Sequence, residues 1–277
     1  MKVRRVLAIT LVALTLLLMT GISNATLLSG GFGPNYNSKV ATSTGTITFV
    51  VPDIVSTGKI SGVGAASPID WVSMGILESF TTTGATIQII KDTNSAYFDS
   101  VTGRPLTAKF PDGSVLVLIG GAGVNNVVKY YESTDPAYGG APVRGAVDST
   151  NAWFTAYGAT ISGTSLALSA IGSSKDNFLL EVFKDDITPT PGVWNIFIIY
   201  GFSGYGSRAG PVFWRFLIEM YNWNGLQVNS FVKAYYIVQW SDAASGVSHN
   251  GLPDDTGGGA PNDSYAIIAT ATAHPLG

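Results

Sequence analysis

One pattern occurs twice in this chain: an uninterrupted apolar run of strand length, then glycines, then residues at helical spacing. The first copy runs from Ser114 through Val115-Leu116-Val117-Leu118-Ile119 to Gly120-Gly121, and on into Ala122-Gly123-Val124-Asn125-Asn126-Val127-Val128. The second runs from Val193 through Trp194-Asn195-Ile196-Phe197-Ile198-Ile199-Tyr200 to Gly201, then Phe202-Ser203-Gly204-Tyr205-Gly206-Ser207. Strands that are apolar without alternation are buried on both faces, so their sheet must be covered by helices. Turns of this kind hold phosphates, present nucleophiles, or only join a strand to a helix.

The rest of the chain fits the same fold class. Thr46 to Val51 reads as a strand closed by Pro52. Ser67-Pro68-Ile69-Asp70 is a helix start, with a cap, a proline in the first turn and an early acid. Ile69, Val72, Ile76 and Phe80 continue it at helical spacing, Gly84 can end it, and Ala85 to Ile90 reads as the next strand. Strand, helix and strand in that order imply a right-handed crossover. Residues 92–113 read as a loop or weak hairpin, and 133–150 as a polar loop. Residues 152–171 hold two short β-like runs broken at Gly158 and Gly163. Phe178 to Lys184 and Val193 to Tyr200 read as a β-hairpin. A buried helix is expected from Ser207 to Tyr221, then strands at Phe231 to Trp240 and Ser264 to Thr272. The expectation is one large α/β domain over 46–277, with a mixed β-sheet flanked by helices and a hairpin near 178–200.

The N-terminus speaks to compartment. Lys2, Arg4 and Arg5 precede an apolar run from Val6 to Thr20, and Ser23-Asn24-Ala25 supplies small residues at a cleavage site. Residues 1–25 therefore read as a secretory signal peptide cut after Ala25, and 26–45 as an extended, Gly-, Ser- and Thr-rich arm. The chain has no cysteine, so an exported protein of this sequence is held by packing rather than disulfides. Formal charge is −3, and removing the leader makes the remainder more acidic still. No basic run exists, which argues against nucleic acid as a partner. No second apolar span of about 20 residues follows, so no membrane span is expected in the mature chain.

Three kinds of chemistry have candidate residues on this background. Gly121-Ala122-Gly123-Val124-Asn125-Asn126 imitates a dinucleotide fingerprint but ends in asparagine and lacks the acid that should follow. Gly201-Phe202-Ser203-Gly204-Tyr205 imitates a nucleophile elbow, with tyrosine where the last glycine belongs. For that alternative, a secreted serine hydrolase, Ser203 is the nucleophile, Asp242 the orienting acid and His249 the base, with His274 the only other histidine. Oxygen donors of the kind calcium prefers stand at Asp185, Asp186, Asp254, Asp255 and Asp263, without EF-hand spacing; turn chemistry explains them equally well. Asn262 opens a glycosylation sequon, Asn262-Asp263-Ser264. The six tryptophans suit core packing, although Tyr221-Asn222-Trp223-Asn224 offers an aromatic group for a carbohydrate- or cell-wall-binding module.

The two blocks VLVLIGGAGVNNVV (115–128) and FLLEVFKDDITPTPGVWNIFIIYGFSGYGSRAG (178–210) resemble, in the same order, two blocks of archaeal surface-layer proteins. Ala122 stands where that family usually has proline. The resemblance implies a structural role in the coat around the cell, with no catalytic residues to carry over. No cofactor is expected beyond structural Ca2+ at the oxygen donors above. The implied partners are the chain itself, other cell-surface proteins and cell-surface glycans. The expected protein is a secreted, non-enzymatic surface component, either a minor or accessory part of the coat or a released assembly subunit.

Overall fold

Seven strands form one mixed sheet whose central members are apolar on both faces. The computed structural model describes residues 46–53, 68–79, 86–135, 140–189, 192–221, 232–242, 253 and 263–275. The leader (1–25), the arm (26–45), His249, Asp254, Asp255 and Asn262 lie outside the described residues. The sheet contains β1 (Thr46–Val51), β2 (Thr86–Lys91), β3 (Val115–Ile119), β8 (Lys175–Asp185), β9 (Trp194–Gly201), β10 (Val232–Ser241) and β11 (Ser264–Pro275), in the order β11-β10-β8-β9-β3-β1-β2. The four strands β9, β3, β1 and β2 are parallel; β8 runs against both β9 and β10, and β11 against β10. All five residues of β3 and all eight of β9 are buried, Asn195 of β9 included, as expected of strands apolar on both faces. The β8–β9 pair is the expected hairpin.

The two faces are covered differently. Ile47, Phe49 and Val51 of β1 share one face with Val115, Val117 and Ile119 of β3. That face is covered by helix α1 (Pro68–Ser79) through Met74 and Trp71, and by helix α3 (Gly204–Tyr221) through Ala209 and Phe213. The opposite face carries Leu116, Leu118, Ile196 and Ile198, packed under the six-residue helix α2 (Asn126–Tyr131) and a small antiparallel sheet. That second sheet consists of β4 (Val143–Val147), β5 (Asn151–Ala156), β6 (Ala159–Thr160) and β7 (Leu166–Ala167). The stretch 133–150, expected to be a polar loop, thus contains a strand. Val143 and the β5 residues Ala152 and Phe154 are buried against the main sheet, and this tertiary burial outweighs the local Gly and Pro content.

Crossover hand follows from this layering. The step from β1 to β2 passes α1 on one face; the step back from β2 to β3 passes Phe98 and Phe110 on the other. Opposite directions on opposite faces give these two units the same hand. The step from β9 to β10 moves the opposite way from β1 to β2, yet its helix α3 lies on the same face as α1. The β9–α3–β10 unit therefore has the opposite hand to β1–α1–β2, and only one of the two can follow the right-handed rule.

Among the described residues no helix is long and apolar enough to cross a membrane. Of the tryptophans, Trp194 and Trp240 are fully buried, which is the core use their strand positions suggest.

Candidate functional site

Both glycine turns stand at the same edge of the sheet, at the C-terminal ends of β3 and β9, which are neighbours. The connection from β3 leaves toward the α2 face and that from β9 toward the α3 face. Such a divergence opens a crevice outside the strand ends, the usual place for ligands in open α/β sheets. Here the crevice is a cleft of about 90 Å³, lined by Gly121, Ala122, Gly123 and Val124 of one turn and by Gly201, Phe202, Ser203 and Gly204 of the other. Glu132 and Tyr200 also line it, as do Asp70 from α1 and residues 145–147 of β4.

The first turn is filled from within. Gly120 has φ +88°, a left-handed conformation that glycine adopts without strain. The Asn125 side chain then occupies the space beneath α2. Its Oδ1 accepts from Val127 N at 3.0 Å and Val128 N at 3.2 Å, while its Nδ2 donates to Ile119 O at 2.9 Å and Val50 O at 3.2 Å. One buried amide thereby ties β1, β3 and the helix start together. The next helix donor, Asn126 N, is taken by Asp92 Oδ2 at 2.8 Å. Burial pushes the Asp92 carboxyl above its ordinary pKa, against the pull of these backbone bonds.

The second turn follows the same logic. Asp176, at the start of β8, is fully buried, and its Oδ2 accepts from Ser203 N at 2.8 Å, Gly206 N at 3.0 Å and Ser203 Oγ at 2.6 Å. Ser203 in turn accepts from Tyr205 N through Oγ and from Ser207 N through its carbonyl, the bonding of a helix N-cap. Burial raises the Asp176 carboxyl to about 7, although its hydrogen bonds to Ser203 pull the other way. The glycines serve contact here: a side chain on Gly206 would place Cβ 2.7 Å from Gly201 Cα and 2.6 Å from Asp176 Oδ2. No side chain fits, because α3 is pressed directly onto the end of β9.

Between the turns lies a third buried acid. Tyr200 OH donates to Glu132 Oε1 and accepts from Gly145 N at 2.8 Å, so one tyrosine joins β9, the end of α2 and β4. Burial raises the Glu132 carboxyl to about 8, and the Tyr200 bond opposes that rise. Burial, with the Glu132 charge beside it, pushes the Tyr200 hydroxyl well above its usual range.

The structure separates several residues that the sequence left together. Ser203 meets Asp176 rather than Asp242; the Asp242 N–H follows β10 and donates to Ser174 O at 2.9 Å. His274 pairs with Lys233 at the start of β10, the far edge of the sheet from Ser203. Asp185 accepts from Ile187 N, Thr188 N and Tyr131 OH, ordinary turn bonding at that far edge. Asp186 follows Asp185 at the same edge, where β8 leaves the sheet. Asp263 accepts from Trp240 Nε1 at 3.0 Å, near the edge where the glycine turns lie. Asp185 and Asp263 therefore cannot share one ion. Among the described residues no group of three or more His, Cys, Asp or Glu side chains is placed to hold a metal.

Sequence reasoning missed Asp176 and Glu132. Asp176 stands in Lys175-Asp176-Asn177 with no spacing to mark it. Glu132 carried a faint signal, because it closes α2, where the helix dipole disfavours an acid.

No protein-family model matches this chain, and neither does any curated protein or solved structure.

Proposed function

We propose that this chain is a secreted structural component of a cell coat, related to archaeal surface layers, which self-associates or docks on neighbouring surface proteins. One observation carries the reading: at both glycine turns the helix start is occupied by the protein's own side chains. Asn125 and Asp92 take the donors of α2, and Ser203 and Asp176 take Tyr205 N and Gly206 N of α3. A phosphate-binding turn leaves such donors open to an anion. A nucleophile elbow leaves its serine hydroxyl exposed and facing a base. Here the glycines bring helix against strand, and Ser203 caps a helix, which favours architecture over chemistry. The block resemblance and the leader-like N-terminus give that architecture a place at the cell surface. Calcium held by the donors around Asp254 and Asp255, and a glycan on Asn262, belong to the same proposal.

The test is electron microscopy of the purified protein starting at Thr26, with and without calcium. Sheets or filaments support the proposal. Monomers under every condition, or specific labelling of Ser203 by a fluorophosphonate probe, overturn it.

A further inference from the structure

We propose that the cleft between the two glycine turns binds a primary ammonium group carried on an aliphatic stem, with Glu132 as its anionic partner. The argument starts from charge. Among the described residues the cleft lining contains two carboxyl side chains, Asp70 at 3 % and Glu132 at 8 % exposure, and no lysine, arginine or histidine. Among the described residues Glu132 is in no ion pair; its side-chain partner is the neutral Tyr200 hydroxyl. Buried carboxylates are stable when a counter-charge meets them, and otherwise they hold their proton. A cation beside Glu132 supplies the counter-charge that this carboxyl lacks, which an anion does not.

Shape then selects the kind of cation. Apart from the acids and serines, the walls are glycine backbone, small apolar side chains such as Ala122, Val124, Ala146 and Ala152, and the aromatic side chains of Tyr200 and Phe202. About 90 Å³ admits a few heavy atoms and no bulky ring system. A small, mostly apolar cleft whose lining includes a buried acid matches an alkylammonium group, which buries its stem and keeps its charge at the tip. The position at the diverging ends of β3 and β9 is where open sheets of this kind bind ligands.

Binding is coupled to a proton. In the empty cleft Glu132 titrates at about 8, so near neutral pH it is protonated. The groups that face it are Tyr200 from β9, Arg144 from β4, whose field lowers it, and Asp70 from α1 across the cleft; Glu181 on β8 acts on Tyr200. An alkylammonium ion titrates near 10.4 and keeps its charge throughout. Each bound cation therefore releases one proton from Glu132, and affinity rises with pH until about 8.

Titration calorimetry on the full mature chain with n-butylammonium chloride, between about pH 6 and about pH 8, tests this. The expected result is binding that tightens by about tenfold per pH unit, with n-butanol about tenfold weaker or worse. Glu132→Gln should weaken butylammonium binding by about tenfold or more and remove the pH dependence. Ala146→Leu, which fills the cleft and leaves Glu132 in place, should also abolish binding. Butanol binding as tightly as butylammonium, affinity flat with pH, or no binding to the wild-type chain would overturn the proposal. The natural source follows from a second arm: butylammonium that disperses assembled protein assigns a lysine of a neighbouring copy, and assemblies that persist with the amine bound assign a free amine. Calorimetry reads the cleft whether or not the chain assembles, so its failure is separable from failure of the coat reading.

Discussion

Ser203 Oγ donates to Asp176 Oδ2 at 2.6 Å, which makes the serine and the buried acid one capping unit for α3. Ser203→Ala removes the hydroxyl and leaves the backbone bond, at a cost of about 1–2 kcal/mol. Asp176→Ala strips three donors of their acceptor and should cost about 3 kcal/mol or more. Urea unfolding of the two variants checks the order. Equal losses would mean that the carboxylate adds nothing beyond the hydroxyl.

The pH dependence of stability has a definite sign. Burial holds Glu132 at about 8 and Asp176 at about 7, whereas both ionise near 4 in the unfolded chain. The fold keeps protons that the unfolded chain has released, so stability is full below about pH 4 and is lost as pH rises through 7 and then 8. Calorimetric melting should show a midpoint that falls from about pH 5 to about pH 8 and then levels. Glu132→Gln should remove the upper part of the fall. A midpoint that climbs across this window contradicts the assignment.

Asn125 joins β1, β3 and α2 through four hydrogen bonds from a fully buried amide. Asn125→Ala leaves two carbonyls and two N–H groups without these partners and should cost about 3 kcal/mol or more. Asn125→Asp keeps the acceptor and loses both donors while burying a charge, so it should fare no better. Denaturant midpoints of both variants decide this. A loss below about 1 kcal/mol for Asn125→Ala would show that water replaces the amide.

Gly206→Ala tests the close approach of α3 to β9. Its Cβ would meet Gly201 Cα at 2.7 Å, so either the helix start or the strand end must move. A loss of about 2–3 kcal/mol is expected, whereas Gly158→Ala meets no atom within 4 Å and should cost only what its left-handed φ of +84° imposes. Comparable losses for the two would remove the packing argument.

Export has its own readout. Native protein should begin at Thr26, after Ser23-Asn24-Ala25. N-terminal sequencing that finds Met1 retained would replace the secreted reading with a membrane-anchored one.

The elements with continuous apolar runs were legible in the sequence. β3 and β9 needed no partner to be recognised, because burial on both faces leaves Asn195 as the one polar residue in the two runs. β4 was not legible: Val143-Arg144-Gly145-Ala146-Val147 is short and glycine-bearing, and it becomes a strand only by pairing with β5 over a core that β8 and β9 supply. The candidate site divides the same way. Its two turns were visible because glycine next to an apolar strand is a local signal. Its acids were not, because Asp70, Glu132 and Asp176 come from segments far apart in sequence and gain their character from burial. Ser203 was found for the wrong reason: its neighbours imitate an elbow, while its partner Asp176 lies 27 residues upstream.

The parallel arrangement also gives the domain a compass. β1 begins and β11 ends at one edge of the sheet, and the glycine turns and their cleft sit at the other. A strand of six residues spans roughly 20 Å. Segments joined before β1 and after β11 therefore attach at the edge opposite the cleft, so a tether at either point would leave the cleft at the free end of the domain.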